Sequence, residues 1–160
     1  MKYDLIGFPK CGQHSIIKLL EQEGEVLSRE TCWLNTTLSI YEKQYKNYKP
    51  VFVIRNVYDF LLSGYNNWDN YPDFLSFQEF LVYDLKGYDS HCFGVQNPIK
   101  RADFRKWIKP FTKYDPIIIN VDKSTIHEFK TENKKLDKLT EEDREEVRKQ
   151  MKEICEISLL

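Results

Sequence analysis

The chain has 160 residues, of which 41% are hydrophobic and 14% aromatic, a composition typical of one globular domain and not of a disordered segment. Its formal net charge of -1 lacks the strong overall basicity of general nucleic-acid binders, so any charge that binds an anion must be local. The four scattered cysteines form no C-x-x-C pair, which indicates neither a disulfide framework nor a zinc site, and no metal is predicted.

The beginning of the chain predicts an intracellular protein. Met1-Lys2 leads at once into an apolar run, and no charged-then-apolar leader is present. No apolar stretch approaches the ~20 residues that a membrane-spanning helix needs. We therefore expect a cytoplasmic protein that does not associate with membranes.

Strands and helices alternate along the chain. Apolar runs between breaker residues predict strands at Lys2–Phe8, Glu25–Ser28, Val51–Arg55 and Ile117–Val121. Helices are predicted at Gln13–Gln22, Thr37–Lys46, Val57–Asn67, Phe77–Leu85, Ala102–Phe111 and Glu141–Ile157, with a long loop over Gly87–Lys100. The runs Val51–Ile54 and Ile117–Ile119 are apolar on both faces, as in buried parallel strands. The pattern predicts one α/β domain over residues 1–160, built on a parallel sheet.

Two helix boundaries carry specific sequence signals. Gly24 is expected to end the first helix as a C-terminal glycine. Thr140 is expected to cap the last helix, and Asp143 to close a capping box with it.

The loop after the first strand follows a phosphate-binding pattern, but its lysine is displaced. Gly7 and Gly12 have the spacing of G-x-x-x-x-G-K-[ST], yet Gln13 stands where the lysine belongs. The lysine lies inside the loop, at Lys10, and no Ser or Thr follows it to hold magnesium. A strand, a glycine loop and a helix together direct backbone N–H groups and the helix dipole at an anion. The pattern favours phosphate-linked chemistry in which a lysine neutralises the leaving group, and it argues against ordinary ATP or GTP hydrolysis.

A second strand–helix junction carries Arg55-Asn56-Val57-Tyr58-Asp59, followed by Ser63-Gly64-Tyr65. Arg55 ends its strand, and a guanidinium is suited to bidentate phosphate contact. Ser63 lies two helical turns further on. Asp59 is expected to orient Arg55 or to cap the helix, and Tyr65 is either a core residue or a ligand residue.

The two segments together resemble the sulfotransferase family that uses 3′-phosphoadenosine 5′-phosphosulfate (PAPS). The stretch Phe8-Pro9-Lys10-Cys11-Gly12-Gln13-His14-Ser15 is similar to that family's 5′-phosphosulfate loop, Y/F-P-K-S/T-G-T-T. The stretch from Arg55 to Tyr65 is similar to its 3′-phosphate motif, R-N-P-x-D-x-x-x-S-x-Y. The resemblance covers residues 2 to 66 well and continues more loosely to the C-terminus. It implies a three-layer P-loop-like fold with a central parallel β-sheet flanked by helices.

The resemblance also implies which residues bind PAPS, the co-substrate, without a metal. These are Lys10, Cys11, Gly12, Gln13, His14 and Ser15 in the loop, with Arg55 and Ser63 at the 3′-phosphate. The family has threonines where this chain has Gln13 and His14, but an amide and an imidazole can donate hydrogen bonds in their place.

The implied reaction transfers a sulfuryl group to a hydroxyl or amine acceptor by in-line displacement. Lys10 is the candidate catalytic residue that stabilises the leaving 5′-phosphate. Glu30 is the candidate base, because Glu30-Thr31 is similar to the E-E-T pattern of Golgi-type members; His91 and His14 remain alternatives. Lys10, Glu30 and Arg55 each follow a predicted strand, and ligands of parallel sheets bind beyond the carboxyl ends of the strands.

Other interpretations stay open. The chain could be a non-catalytic P-loop nucleotide-binding module or a small nucleotide kinase. The acceptor is expected to be a small molecule, a glycan or a peptide, and the loop Gly87–Lys100 does not identify it. No nucleic-acid partner is expected, and the sequence does not specify an oligomeric state.

Overall fold

A computed structural model describes residues 1–7, 13–27, 38–68, 71–84, 97–121 and 135–151. These ranges form an α/β fold in which helices flank a four-stranded, all-parallel sheet, as predicted. The elements in chain order are β1 (Lys2–Gly7), α1 (Gln13–Glu21), β2 (Glu25–Leu27), α2 (Leu38–Ile40) with a π-helical turn (Tyr41–Tyr45), β3 (Lys49–Ile54), α3 (Val57–Asn67), α4 (Phe77–Leu81), α5 (Pro98–Arg101), α6 (Phe104–Ile108) with a 3₁₀ helix (Lys109–Tyr114), β4 (Ile117–Asn120) and α7 (Glu141–Gln150).

The sheet has the strand order β2-β1-β3-β4. Gly7 at the end of β1 is paired with Val53 of β3, and Val51 of β3 is paired with Ile117 of β4. After β1 the chain continues to β2 at one edge of the sheet, and after β3 the next strand of the sheet is β4 at the other edge. The direction in which strands are added therefore reverses between the neighbouring strands β1 and β3. In open parallel sheets such a reversal opens a crevice at the carboxyl ends of the two strands.

The two strands predicted to be apolar on both faces differ in burial. β3 lies between two strands, and its residues from Pro50 to Ile54 are all buried. β4 is hydrogen-bonded only to β3 among the described strands, and Ile118 is 51% exposed. The prediction of full burial was therefore right for β3 and wrong for β4, because the sequence of a strand does not show whether it has one neighbour or two.

The prediction for α3 is confirmed at both ends, whereas other helix bounds differ. The stretch predicted as the helix Thr37–Lys46 is split, within its described part, into α2 and a π-helical turn. The predicted loop Gly87–Lys100 was wrong at its end, because Asn97 caps α5 by accepting a hydrogen bond from Lys100 N and Pro98 occupies its first turn.

The predicted helix Ala102–Phe111 begins two residues later than expected and changes type. Asp103 caps α6 by accepting a hydrogen bond from Lys106 N at 3.1 Å. Pro110 has no amide hydrogen to donate to the next α-helical bond, and the chain continues as a 3₁₀ helix to Tyr114. The α-helical part is therefore shorter than the hydrophobic pattern predicts.

Gly24 follows α1, and the structure gives a different reason for glycine at this position. Its φ lies outside the left-handed range, so it is not a C-terminal glycine of the usual kind. A Cβ atom there would lie 2.1 Å from the carbonyl oxygen of Met1, which accepts a hydrogen bond from Glu25 N. Glycine is needed because the chain entering β2 passes close to the start of β1.

An aromatic cluster fills the layer between α3, α4 and α6. It comprises Phe60, Trp68, Tyr71, Phe80, Tyr83 and Phe104, with ring centroids 4.8 to 6.0 Å apart in the contacting pairs. Trp68 caps the end of α3 and folds back over Gly64, where a Cβ atom would lie 2.8 Å from the indole ring. Within the described ranges, no helix combines the length and hydrophobicity that crossing a bilayer requires.

Candidate functional site

The described part of the candidate site lies at the carboxyl end of β3. Arg55 and Asn56 form the short connection between β3 and α3. Since Gly7 is paired with Val53, Arg55 follows by two residues the position at which β1 ends. The segment that leaves β1 and the segment that leaves β3 therefore start from neighbouring strands at the same edge of the sheet.

Two helices begin at this edge. α1 starts at Gln13, six residues after β1 ends, and α3 starts at Val57, three residues after β3 ends. The first amides of a helix have no partner within the helix, and its dipole places partial positive charge at the same end. The crevice between β1 and β3 is thus bordered by two helix N-termini, an arrangement that attracts an anion such as phosphate.

Asn56 fixes the start of α3. Its side-chain Oδ1 accepts a hydrogen bond from Tyr58 N at 2.8 Å, and its carbonyl oxygen accepts one from Phe60 N at 2.9 Å. Asn56 is therefore the helix cap, so of the two alternative roles predicted for Asp59 the cap is wrong, and the orientation of Arg55 stays a prediction. Arg55 directly precedes this cap and is half-buried, so the capped turn holds its backbone at the crevice.

Ser63 and Tyr65 lie further along α3. Ser63 is half-buried in the second turn, about 9 Å along the axis from Val57 at 1.5 Å per residue. Tyr65 donates a hydrogen bond to the carbonyl oxygen of Leu75 at 2.6 Å and packs against Phe77. Tyr65 is thus a core residue, which resolves the alternative between core and ligand left open by the sequence.

The chain that leads into α7 is fastened to the end of α3 by one side chain. Asn66 donates from Nδ2 to the carbonyl oxygen of Leu136, and its Oδ1 accepts from the amides of Lys135 and Leu136, all at 2.9 Å. Lys135 also forms an ion pair with Asp73 at 2.9 Å. This clamp is long-range, so sequence patterns gave no signal for it.

α7 returns from that clamp to the N-terminal end of α3. The guanidinium carbon of Arg144 lies 4.8 Å from the ring centre of Tyr58, in the first turn of α3. Arg148 lies 6.0 Å from the same ring, and its hydrogen bonds to Glu141 and then Glu145 raise its pKa. The helix starts as predicted, since Thr140 and Asp143 form the expected capping box. No sequence pattern indicates Arg144 as a second cation near the Arg55 end of α3.

Several predicted site residues fall outside the described ranges. They are Lys10, Cys11, Gly12, Glu30 and His91. Gln13 and His14 belong to the first turn of α1, with side chains outside the description, and Ser15 in that turn is half-buried. The roles assigned to all of these residues stay predictions.

A cavity of about 450 Å³ lies at the opposite edge of the sheet, where β1 and β3 begin. Its lining includes Lys2, Lys46, Lys49, Tyr48 and Tyr114. The length of β3 separates this cavity from Arg55, so it is not part of the candidate site. The described ranges contain no group of three or more His, Cys, Asp or Glu residues placed to hold a metal ion.

Comparisons with known proteins identify no relative. No family model matches the chain, and neither the curated proteins nor the solved structures provide a match. The sequence motifs and the geometry at the carboxyl ends of β1 and β3 are therefore the basis for a functional proposal.

Proposed function

We propose that the chain is a PAPS-dependent sulfotransferase that transfers a sulfuryl group to a hydroxyl or amine acceptor. The observation that carries the proposal is the parallel pairing of β1 with β3. It puts the carboxyl ends of β1 and β3 side by side at the reversal point of the sheet, where the proposal has the two motif-bearing segments that follow these strands meet at one crevice. A ligand with phosphate groups at both ends of a nucleoside matches two anion-binding helix starts on one crevice.

The 3′-phosphate end of the ligand is assigned to the β3–α3 connection. Arg55 offers a planar guanidinium that can bind two phosphate oxygens at once. The N-terminus of α3, ordered by the Asn56 cap, adds the partial positive charge of the helix dipole. Ser63 supplies a hydroxyl donor from the second turn.

The 5′-phosphosulfate end is assigned to the segment after β1. Lys10 neutralises the charge that develops on the leaving 5′-phosphate, and backbone amides around Gly12 and the start of α1 hold its oxygens. A preorganised donor of this kind lowers a barrier by ~3 kcal/mol. Cys11, Gln13, His14 and Ser15 complete the proposed cradle.

The proposed transfer exchanges one bond to sulfur for another. The bond between sulfur and the bridging oxygen of the 5′-phosphate breaks while a bond forms between sulfur and the acceptor oxygen or nitrogen. Glu30 accepts the acceptor's proton, and His91 and His14 are the alternative bases. The leaving group is adenosine 3′,5′-bisphosphate, whose new phosphate charge Lys10 compensates.

Calorimetry tests the binding half of the proposal without knowledge of the acceptor. We expect adenosine 3′,5′-bisphosphate to bind without magnesium and more tightly than ADP or ATP. Arg55→Lys should weaken binding about tenfold, because a lysine cannot form the bidentate contact. Arg105→Lys, on the exposed surface of α6, is the matched control and should change nothing. A magnesium-dependent preference for ATP would favour a kinase, and no nucleotide binding at all would contradict the proposal.

Transfer of labelled sulfate from PAPS, to water or to a panel of phenols, sugars and amines, tests the catalytic half. Lys10→Met should lower the rate by a factor of about 100 while the affinity for adenosine 3′,5′-bisphosphate changes little. Lys18→Met, on the exposed face of α1, is the control for loss of a nearby lysine. A Lys10→Met variant with unchanged turnover would remove this mechanism, whereas nucleotide binding without transfer would leave a non-catalytic binding module.

A further inference from the structure

Arg101 is a buried arginine outside the candidate site. It ends the short helix α5, which packs on α3 and α4, and only 7% of its surface is exposed. Its guanidinium carbon lies 5.4 Å from the ring centre of Trp68 and 5.9 Å from that of Tyr71. Two aromatic rings therefore hold the guanidinium in place.

The positive charge of Arg101 has no counter-charge among residues 1–7, 13–27, 38–68, 71–84, 97–121 and 135–151. No carboxylate in these ranges forms an ion pair with it, and its buried Nε donates no hydrogen bond. The acidic residues Asp103 and Asp73 are already engaged, one as the cap of α6 and the other with Lys135. Buried charges are normally paired because removing them from water is costly, so an unpaired one indicates a missing partner.

The surrounding segment is strongly basic, although the whole chain is almost neutral. Residues 98–114 contain six Lys or Arg residues and one Asp, while the full chain has a net charge of -1. The exposed side chains of Lys100, Arg105 and Lys109 make no ion pair with any described residue. These exposed cations, close to Arg101 in sequence, add to the positive potential around it, an effect that salt screens over about 10 Å.

We propose that Arg101 is the centre of an oxyanion-binding site for a phosphate or sulfate group. Because Nε is buried, the ligand binds the guanidinium at its Nη1–Nη2 end. There two parallel N–H donors match two oxygens of a tetrahedral anion. Trp68 and Tyr71 fix the plane of the guanidinium before the anion arrives, which lowers the entropy cost of binding.

This site is separate from the proposed PAPS site. Arg55 precedes the first residue of α3, whereas Trp68 follows its last residue, and α3 spans about 15 Å between them at 1.5 Å per residue. The proposal therefore does not rest on sulfotransferase activity. The bound group can be a free inorganic anion or an ester on a larger molecule, since both present the same oxygens.

Nuclear magnetic resonance on the full chain tests the proposal through the Nε–Hε signal of Arg101 itself, which binding near Arg55 does not mimic. The signal is identified as the one missing from Arg101→Lys. Titration with sodium phosphate and with sodium sulfate should shift it saturably. The indole Nε1–H signal of Trp68, which both proteins retain, reports the same titrations in Arg101→Lys, where loss of the two parallel N–H donors should weaken binding about tenfold. The exposed Arg105 is the matched control, and Arg105→Lys should leave the titration unchanged. A parallel titration with glucose 6-phosphate distinguishes the two sources of the anion. An affinity higher than that for phosphate indicates an ester on a larger molecule, and a lower affinity indicates a free anion.

Two results would overturn the proposal. One is an Arg101 signal that does not saturate with either anion, or that shifts no more than the signal of Arg105. The other concerns Asp69, which follows Trp68 in sequence and lies outside the described residues. If Asp69→Asn and Arg101→Lys are strongly coupled in a double-mutant cycle of stability, the counter-charge belongs to the chain and no external anion is needed.

Discussion

The two ends of α3 carry two arginines in contrasting surroundings. Arg55 precedes the N-terminus at the crevice between β1 and β3, is half-buried, and is followed by a capped helical turn. Arg101 lies beside the C-terminus, almost wholly buried against Trp68 and Tyr71. The first belongs to a recognisable sequence motif. The second is brought to α3 by a helix 30 residues further along the chain.

The comparison shows two ways to position a guanidinium. At the Arg55 end, the local sequence positions the guanidinium, because a strand end, a capping asparagine and a helix start follow one another within three residues. At the Arg101 end, tertiary packing positions the guanidinium, because Trp68 must fold over Gly64 before its ring can face α5. Changes to the core should therefore affect the Arg101 site more than the Arg55 site. Changes to the Asn56 cap should affect the Arg55 site more.

The largest effect is expected from Phe80→Ala. Phe80 is 1% exposed and packs edge-on against Tyr71 at 4.8 Å and close to Trp68 at 5.8 Å. Its removal leaves a cavity beneath both rings that hold Arg101 and should lower the free energy of unfolding by about 3–5 kcal/mol, measured by urea denaturation. Oxyanion binding at Arg101 should weaken, while the affinity for adenosine 3′,5′-bisphosphate in the folded variant stays near that of the wild type.

Phe74→Ala is the control for this change, because Phe74 is 86% exposed and should cost little when truncated. An equal loss of nucleotide and oxyanion binding in Phe80→Ala would contradict the independence of the two ends of α3.

A smaller effect is expected from Asn66→Ala, which acts on both ends. The change removes three hydrogen bonds to the partly exposed backbone of residues 135 and 136, a loss of about 1–2 kcal/mol in unfolding free energy. Because α7 follows this clamp and places Arg144 over Tyr58, hydrogen exchange in α7 should also speed up.

Asn67→Ala is the matched control, since Asn67 makes a single side-chain bond, to the carbonyl oxygen of Ser63 within the same helix. If both variants lose the same stability, the clamp does not hold α7 in place.

The sequence predicted the parts of the fold that local patterns determine. The bounds of α3 and the capping box of Thr140 were right because each follows from neighbouring residues. The parallel sheet was right because strands that alternate with helices along the chain favour parallel pairing. The exposure of Ile118 and the burial of Arg101 were not predictable, since both depend on which elements become neighbours in space. The same division applies to the candidate site: the position of Arg55 at the strand end was predicted, whereas the approach of Arg144 was not.

The smallest effect on stability is expected at the cap itself, where structure and binding can be separated. Asn56→Ala removes the bond from Tyr58 N and should lower the unfolding free energy by about 1 kcal/mol. Asn56→Asp keeps an acceptor in the same place and should unfold like the wild type.

Nucleotide affinity should rank the two variants at Asn56 in the opposite order to stability: the more stable Asn56→Asp should bind the nucleotide more weakly. The carboxylate of Asn56→Asp neutralises the helix dipole and repels a phosphate, so adenosine 3′,5′-bisphosphate should bind more weakly to this variant than to Asn56→Ala. Asn47→Asp, on an exposed turn at the opposite edge of the sheet, is the control for an added carboxylate and should change neither stability nor nucleotide affinity. A stable Asn56→Asp variant that binds the nucleotide as well as the wild type would show that the phosphate does not lie at the start of α3.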